Sequence, residues 1–377
     1  MISFDTLDKP GPLRIVQVGA GGMGKAWIRA LQDNKDVELV GLVDLNLEAA
    51  QAAVQEFGLD GVRLGSSAAE VAEAAGADAV VNVTVPAAHH PVNVEALFAG
   101  LPVLCEKPVA PTVAEGLSLA AAAEVSGQLL MISQSRRYFR GLTHLKAVTD
   151  RLGDVGVVTT EFFKAPHFGG FREEMEHVLL VDMAIHPFDA VRFLLGQEPV
   201  SVYCEEFNPS WSWYSRDATA TAVFTMSGGT RYVYTGSWCA AGLETSWNGT
   251  WRVNGAGGSA VWDGDGLPVT ELVSGTSVPD PVSHEEEIAG ALVEFVASLR
   301  SGNVPSGEVH SNILSLAMVE AAVQSASTGG MVLIDDVIED AYRVAVESER
   351  RADVRSALES WVSARPHVGV LEGVESV

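Results

Sequence analysis

Residues 14 to 24 read Arg-Ile-Val-Gln-Val-Gly-Ala-Gly-Gly-Met-Gly, a short β-branched run that breaks into glycines and is followed by Lys-Ala-Trp-Ile-Arg-Ala-Leu. This is a strand, a turn and a helix, and few folds start that way. In the G-x-G-x-x-G spacing Gly19 makes the tight turn, Gly21 lets backbone approach a pyrophosphate and Gly24 lets helix and strand pack closely, with Gly22 and Met23 completing the loop. The diphosphate would sit on the helix N-terminus. The next apolar run, Val37 to Val43, ends at Asp44. That is about 20 residues past Gly24, the distance at which a carboxylate meets the adenosine ribose. A carboxylate accepts hydrogen bonds from free ribose hydroxyls and repels a 2′-phosphate, and Leu45, Asn46 and Leu47 bring no cation. The expected cofactor is therefore NAD rather than NADP. The bland readings are a tight strand-to-helix turn for the glycines and a helix N-cap for Asp44.

The alternation continues with a helix at about 47–57, a strand at 79–84, a helix near 91–99 and a strand at 102–105. Repeated βα units predict a parallel sheet whose strand C-termini line the ligand crevice, which turns Val85, Pro86, Glu106 and Lys107 toward the cofactor. After Gly153 the pattern changes to alternating strands at 157–163, 218–226, 230–238 and 251–253, separated by glycine-rich turns, which predicts a predominantly antiparallel sheet. Helices are expected at 283–299 and 311–327, then a charged helical extension over 338–365 with a frayed end. With 377 residues, 47% of them hydrophobic, the chain exceeds one ordinary core. The expected division is a dinucleotide-binding domain over 1–133 and a second α/β domain over 134–377.

A second motif raises a different question. Val181-Asp-Met-Ala-Ile-His-Pro-Phe-Asp189 lies in a run of core-like composition, yet it carries Asp182, His186 and Asp189. At α-helical pitch these are i, i+4 and i+7 and share one face. They read either as a satisfied polar core or as an active site, with Asp189 the more structural of the three.

Several classes are disfavoured. Forty-nine acidic against 24 basic residues give a formal charge of −25, which argues against nucleic acid or an anionic membrane as partner. Cys105, Cys204 and Cys239 form neither a CxxC motif nor a Cys/His cluster, so no disulfide framework and no metal site are expected. The start of the chain lacks a signal-peptide pattern, and no apolar run approaches the roughly 20 residues of a membrane span. A soluble, cytoplasmic protein is expected.

Taken in order, GAGGMG (19–24), Asp44, Pro86 with His90 four residues on, Cys-Glu-Lys-Pro (105–108), Gln-Ser-Arg-Arg-Tyr (134–138) and Asp-x-x-x-His-x-x-Asp (182–189) make the chain resemble the Gfo/Idh/MocA oxidoreductases. The resemblance implies a Rossmann domain followed by an α/β domain with a large open sheet that builds homodimers or homotetramers. A late helix, about 311–327, would pack back toward the cofactor domain. It also implies a catalytic trio, Lys107, Asp182 and His186, and cofactor contacts that include His90 and Arg137. The chain departs from the family pattern at Val85 and Ala87.

Oxidation of a secondary alcohol needs a base for the hydroxyl proton, and an imidazole such as His186 titrates near neutral pH. Lys107 would bond the same oxygen, and Asp182 would hold the lysine and the sugar hydroxyl. Lys164, His167, Arg172 and His177 occupy the long connection before Asp182, from which Lys164, His167 and Arg172 are taken as substrate contacts. The expected activity is NAD-dependent hydride transfer at a secondary hydroxyl of a sugar, sugar derivative or cyclitol. Two other readings stay open: net glycoside cleavage by transient oxidation and elimination, and a nucleotide-bound regulator with a silent site.

Overall fold

The computed structural model describes residues 2–273, 278 and 280–369. Residues 370–377, where the frayed end is expected, lie outside the described residues.

The apolar runs of the first third become β1 (Leu13–Val18), β2 (Val37–Val43), β3 (Arg63–Gly65), β4 (Ala79–Asn82), β5 (Val103–Glu106) and β6 (Leu130–Ser133). They are joined by α1 (Gly22–Asp33), α2 (Leu47–Phe57), α3 (Ala68–Ala75), α4 (Pro86–Phe98) and α5 (Val113–Ser126). All six strands pair in parallel in the order β3-β2-β1-β4-β5-β6. The direction of winding switches between β1 and β4, where such sheets open a crevice at their C-terminal ends. Ile15, Val16, Val80, Val81, Val103 and Leu104 are wholly buried, as expected for strands covered on both faces. One helix starts earlier than the sequence predicts. Pro86 occupies the first turn of α4, where its fixed φ suits the helix and its missing N–H costs nothing, and Pro91 is carried inside.

The second half begins with α6 (Arg140–Thr149) and β7 (Val155–Phe163), followed by a short helical turn, α7 (Phe171–Glu174). A π-helical turn over Leu179–Ala184 then runs into α8 (Ile185–Leu195). The strands β8 (Pro199–Phe207), β9 (Thr219–Met226), β10 (Arg231–Ser237), β11 (Thr250–Gly255), β12 (Gly258–Trp262) and β13 (Val269–Leu272) follow. After α9 (Glu287–Ser301) and α10 (Val309–Thr328) comes β14 (Val332–Leu333), and then α11 (Ile334–Ser348) and α12 (Ala352–Ser360).

The second sheet has eight strands in the order β13-β12-β11-β7-β10-β9-β8-β14. Every pairing is antiparallel except β7 with β10. Its strands alternate buried and exposed residues, so one face is core. Phe188 of α8 reaches that face, with its ring centroid 4.8 Å from Phe224 and 5.4 Å from Tyr234 at edge-to-face angles. This packing fixes the helix that carries the second motif.

By contacts the chain falls into two units. One holds residues 1–135 with 285–313 and 339–377, the other 136–284 with 314–338. The segments 285–313 and 339–377, which the sequence reading assigns to the second domain, thus complete the first unit: α9 packs on α1, α12 packs on α5, and Ile132 N–H donates to Gly307 O at 2.7 Å. Only the start of α10 belongs to the first unit.

Candidate active site

In the first unit the glycine loop is built as its spacing suggests. Gly19 has φ of +106°, and a Cβ there would lie 2.6 Å from the Val83 carbonyl oxygen. A Cβ on Gly24 would come within 2.3 Å of the Gly19 oxygen. At Gly21 and Gly22 the same test meets nothing within 4 Å, so these two leave open space at the start of α1. Gly21 is the N-cap of α1 and brings no side chain to its first turn. The N–H groups there remain for an anion, and a diphosphate fits. Met23 is half-exposed beside them. Buried Gln17 ties the loop together, its amide donating to Gly19 O at 2.8 Å and Gly24 O at 2.9 Å. A glutamine inside a strand carries no spacing signal, so no sequence motif points to Gln17.

Asp44 accepts from the N–H of Ala20 at 2.8 Å and of Asn46 at 2.8 Å. The N-cap of α2 is Asn46, so capping does not account for Asp44. A half-buried carboxylate tied to the glycine loop, with Leu45 fully exposed beside it, suits a ribose diol.

At the ends of β4 and β5 the structure separates the expected residues. Val85 caps α4 and is exposed, and Pro86 begins that helix. Glu106 is buried, accepts from the Trp27 indole at 2.8 Å and from the N–H of Lys107 at 3.1 Å, and burial pushes its carboxyl above the usual range. It therefore braces Lys107 from below rather than facing a ligand. Lys107 itself is half-buried directly after β5 and precedes a cis peptide to Pro108. His90 is turned aside: its Nε2 lies 2.9 Å from Ser118 Oγ, and that hydroxyl also bonds Glu349. The ring that meets the strand ends is its neighbour His89, wholly buried, with Nδ1 2.7 Å from Pro108 O and Nε2 3.1 Å from Thr84 O.

In the second unit the three polar residues of the opening motif part company. The π-helical turn over 179–184 takes more residues per turn than an α-helix, so a spacing of seven no longer returns to one face. Asp189 is 1% exposed and receives both Nε and Nη2 of Arg137 at 2.7 Å. Ser315 adds a hydrogen bond to it at 2.6 Å, and Arg192 joins Ser315 to Glu198. The Arg137 guanidinium, expected on the cofactor, is thus committed to a buried ionic network.

Asp182 is only partly buried and accepts from Arg172 Nε at 2.9 Å. Arg172 in turn lies over the rings of Phe168 and Phe171. His186, one turn on and half-buried, lines a narrow pocket with Arg136, Thr160, Trp247, Asn248 and Trp251. Pro187 is the third residue of α8, just past the π-helical turn, and has no N–H to offer the carbonyls of that turn.

Lys164 stands at the end of β7, paired with Glu244 at 2.9 Å and lying over the Trp247 ring. His167 stacks on Trp213 at 3.8 Å between centroids. Tyr214, whose hydroxyl donates to Pro166 O, is pushed up to about 12 by burial and by the charges of Glu173 and Asp182. Among the aromatics of this region Tyr214, Trp238, Trp251 and Trp262 are buried in packing, while Trp211 and Trp247 are substantially exposed. Among the described residues no group of three or more His, Cys, Asp or Glu side chains is placed to hold a metal ion, and no helix is long and apolar enough to cross a membrane.

Comparison with known proteins gives a consistent result. Residues 13–134 match the Gfo/Idh/MocA model described as an oxidoreductase family with an NAD-binding Rossmann fold, and residues 145–261 match that family's C-terminal domain. The D-apiose dehydrogenase of Paraburkholderia graminis is 28% identical over 360 residues, covering 90% of this chain and 93% of that protein. The inositol 2-dehydrogenase of Streptomyces avermitilis is 33% identical over 202 residues, 52% of this chain and 57% of that protein. Among solved structures, an oxidoreductase from Agrobacterium radiobacter in complex with NAD+, L-tartaric acid and magnesium superposes with a TM-score of 0.77 at 20% identity, over 85% of this chain and 98% of that one.

Proposed function

This chain belongs to the Gfo/Idh/MocA oxidoreductase family, and from that premise we propose that it is an NAD-dependent dehydrogenase acting on a secondary hydroxyl of a sugar, sugar derivative or cyclitol. The substrate class comes from the relatives, which are named for D-apiose and inositol. The observation that carries the reading is the glycine loop, open at Gly21 and Gly22 and laced to Asp44, a cradle that a dinucleotide fits.

Gly21, Gly22 and the first turn of α1 would hold the diphosphate, and Asp44 the adenosine ribose. Bound NAD supplies the acceptor for the hydride that leaves the alcohol carbon. What remains is a proton, and the proposal gives it to His186, whose imidazole can accept the hydroxyl hydrogen. Lys107 is assigned to the same oxygen, where an ammonium stabilises alkoxide charge as it develops. Asp182, held by Arg172, is assigned to orienting the hydroxyl. The products are the ketone, NADH and a proton. Lys164, Trp247 and His167 are proposed as polyol contacts, with Trp247 offering a ring face to the apolar side of a sugar.

On the outward face of the second sheet Val157, Tyr203, Val223 and Val261 are each more than a third exposed, and we assign this face to self-association as a homodimer or homotetramer. The three cysteines are free and buried, which suits the reducing cytoplasm proposed as its compartment. The test is steady reduction of NAD with a panel that includes myo-inositol, D-apiose and common monosaccharides. Sustained NADH formation on one of them supports a dehydrogenase. Release of an aglycone from a glycoside without NADH accumulation would replace it with the elimination chemistry, and NAD binding without turnover on the whole panel would replace it with the regulator.

A further inference from the structure

We infer that His89 is a positioning residue for Lys107. Lys107 is flanked by two backbone anchors that come from other elements of the same unit. On one side Trp27 of α1 holds Glu106, and Glu106 holds the Lys107 N–H. On the other side His89 of α4 reaches the carbonyl of Pro108 at 2.7 Å. Its second nitrogen lies 3.1 Å from the carbonyl of Thr84, just past the end of β4. One imidazole therefore spans the chain at the ends of two neighbouring strands, β4 and β5.

Both of its neighbours are carbonyl oxygens, which only accept. A neutral imidazole has one N–H, so one contact at a time is a true hydrogen bond. Burial and the adjacent charge of Lys107 hold the ring below its ordinary value, against the pull of the two carbonyls. The ring is therefore neutral at pH 7, and the shorter contact places the proton on Nδ1, donating to Pro108 O. The bond that fixes the residue after Lys107 is the one the ring keeps. With Asp44 at the end of β2 proposed for the adenosine ribose, a bound dinucleotide would bring its nicotinamide half across β1 toward the ends of β4 and β5, which His89 joins.

The inference rests on the reading of Lys107 as the group beside the nicotinamide, and its test needs no identified substrate. Lys107 is acetylated with acetic anhydride in the presence and absence of saturating NADH, and its modification is followed by mass spectrometry, with exposed Lys35 and half-buried Lys146 as internal controls. In His89→Asn the amide nitrogen takes the place of Nδ1; in His89→Gln it takes the place of Nε2. Asparagine leaves the larger void, so melting temperature should rank Gln above Asn. Protection of Lys107 by NADH should rank the other way. We expect Asn to stay within about twofold of wild type and Gln and Phe to lose protection about tenfold, the equilibrium worth of one hydrogen bond, with NADH binding by fluorescence preserved throughout. Protection that follows melting temperature, or that is equal in all four proteins, overturns the inference and leaves the assignment of Lys107 intact. A wild-type Lys107 that NADH does not protect at all removes that assignment, and the inference falls with it.

Discussion

Asp182 and Asp189 lie about two turns apart on one helical segment, and each is paired with an arginine. They differ in what surrounds the pair. Asp189 and Arg137 have side chains 2% and 6% exposed, bound through two hydrogen bonds and extended by Ser315, Arg192 and Glu198. Asp182 and Arg172 are 24% and 37% exposed, with Arg172 Nε donating to the carboxylate. A buried charge must be paired to be tolerated, and both oxygens of Asp189 are taken up by Arg137 and Ser315. A half-buried carboxylate gains little stability from its ion-pair partner. On the proposed reading, burial separates the structural acid from the one assigned to chemistry, and the same contrast in burial recurs in the first unit. There, buried His310 sits between Glu308 and Glu124, while half-buried Asp44 borders the glycine loop.

The contrast breaks first at its structural end. Replacing Asp189 by Ala strands Arg137 in the interior and should cost about 3–5 kcal/mol, read by urea denaturation. A loss below about 1 kcal/mol would mean that the network is slack and the comparison false.

His310 extends the comparison to pH. Burial alone would lower its imidazole, but the carboxylates of Glu308 and Glu124 overcome this and hold it at about 10, against an ordinary 6.5. A folded value above the unfolded one gives stability that is fully present below pH 6.5 and is lost as pH rises through about 10. The gap in melting temperature between wild type and His310→Gln should therefore be wide at neutral pH and close above about pH 10. A gap that widens with pH reverses the sign and removes the buried imidazolium.

Asp44 should behave like Asp182, with little effect on folding. Asp44→Ser combined with Leu45→Arg removes the repulsion of a 2′-phosphate and adds a partner for it. The ratio of NADPH to NADH affinity should rise by about 1.5–3 kcal/mol, tenfold or more, in a fluorescence titration. An unchanged ratio takes Asp44 off the ribose.

The two units were not equally legible. In the first, glycine spacing and the distance to Asp44 are constraints on backbone, so Gly19, Gly21, Gly24 and Asp44 fall where local chemistry requires. The second sheet could be read as predominantly antiparallel from alternation, but not its one parallel pair, β7 with β10, because pairing partners leave no trace in a single strand. The return of 285–313 and 339–377 to the first unit was hidden for the same reason. At the site, helical pitch brought Asp182, His186 and Asp189 to one face, and the π turn that undoes this has no composition signal. Arg137 and His90 are cofactor contacts only by family resemblance, which carries a motif position and not the direction of a side chain. Which of two adjacent histidines reaches Pro108, and which arginine finds a buried acid, depends on tertiary packing.

The central claim is that the half-buried residues of this segment serve chemistry, and His186 tests it most directly. His186→Asn keeps a polar side chain of modest size. On the substrate that the wild-type protein oxidises fastest, turnover should fall by roughly 10²- to 10⁴-fold. The melting temperature and NADH affinity should stay close to wild type. Near wild-type turnover in a variant that melts markedly earlier would contradict the account and return His186 to the core.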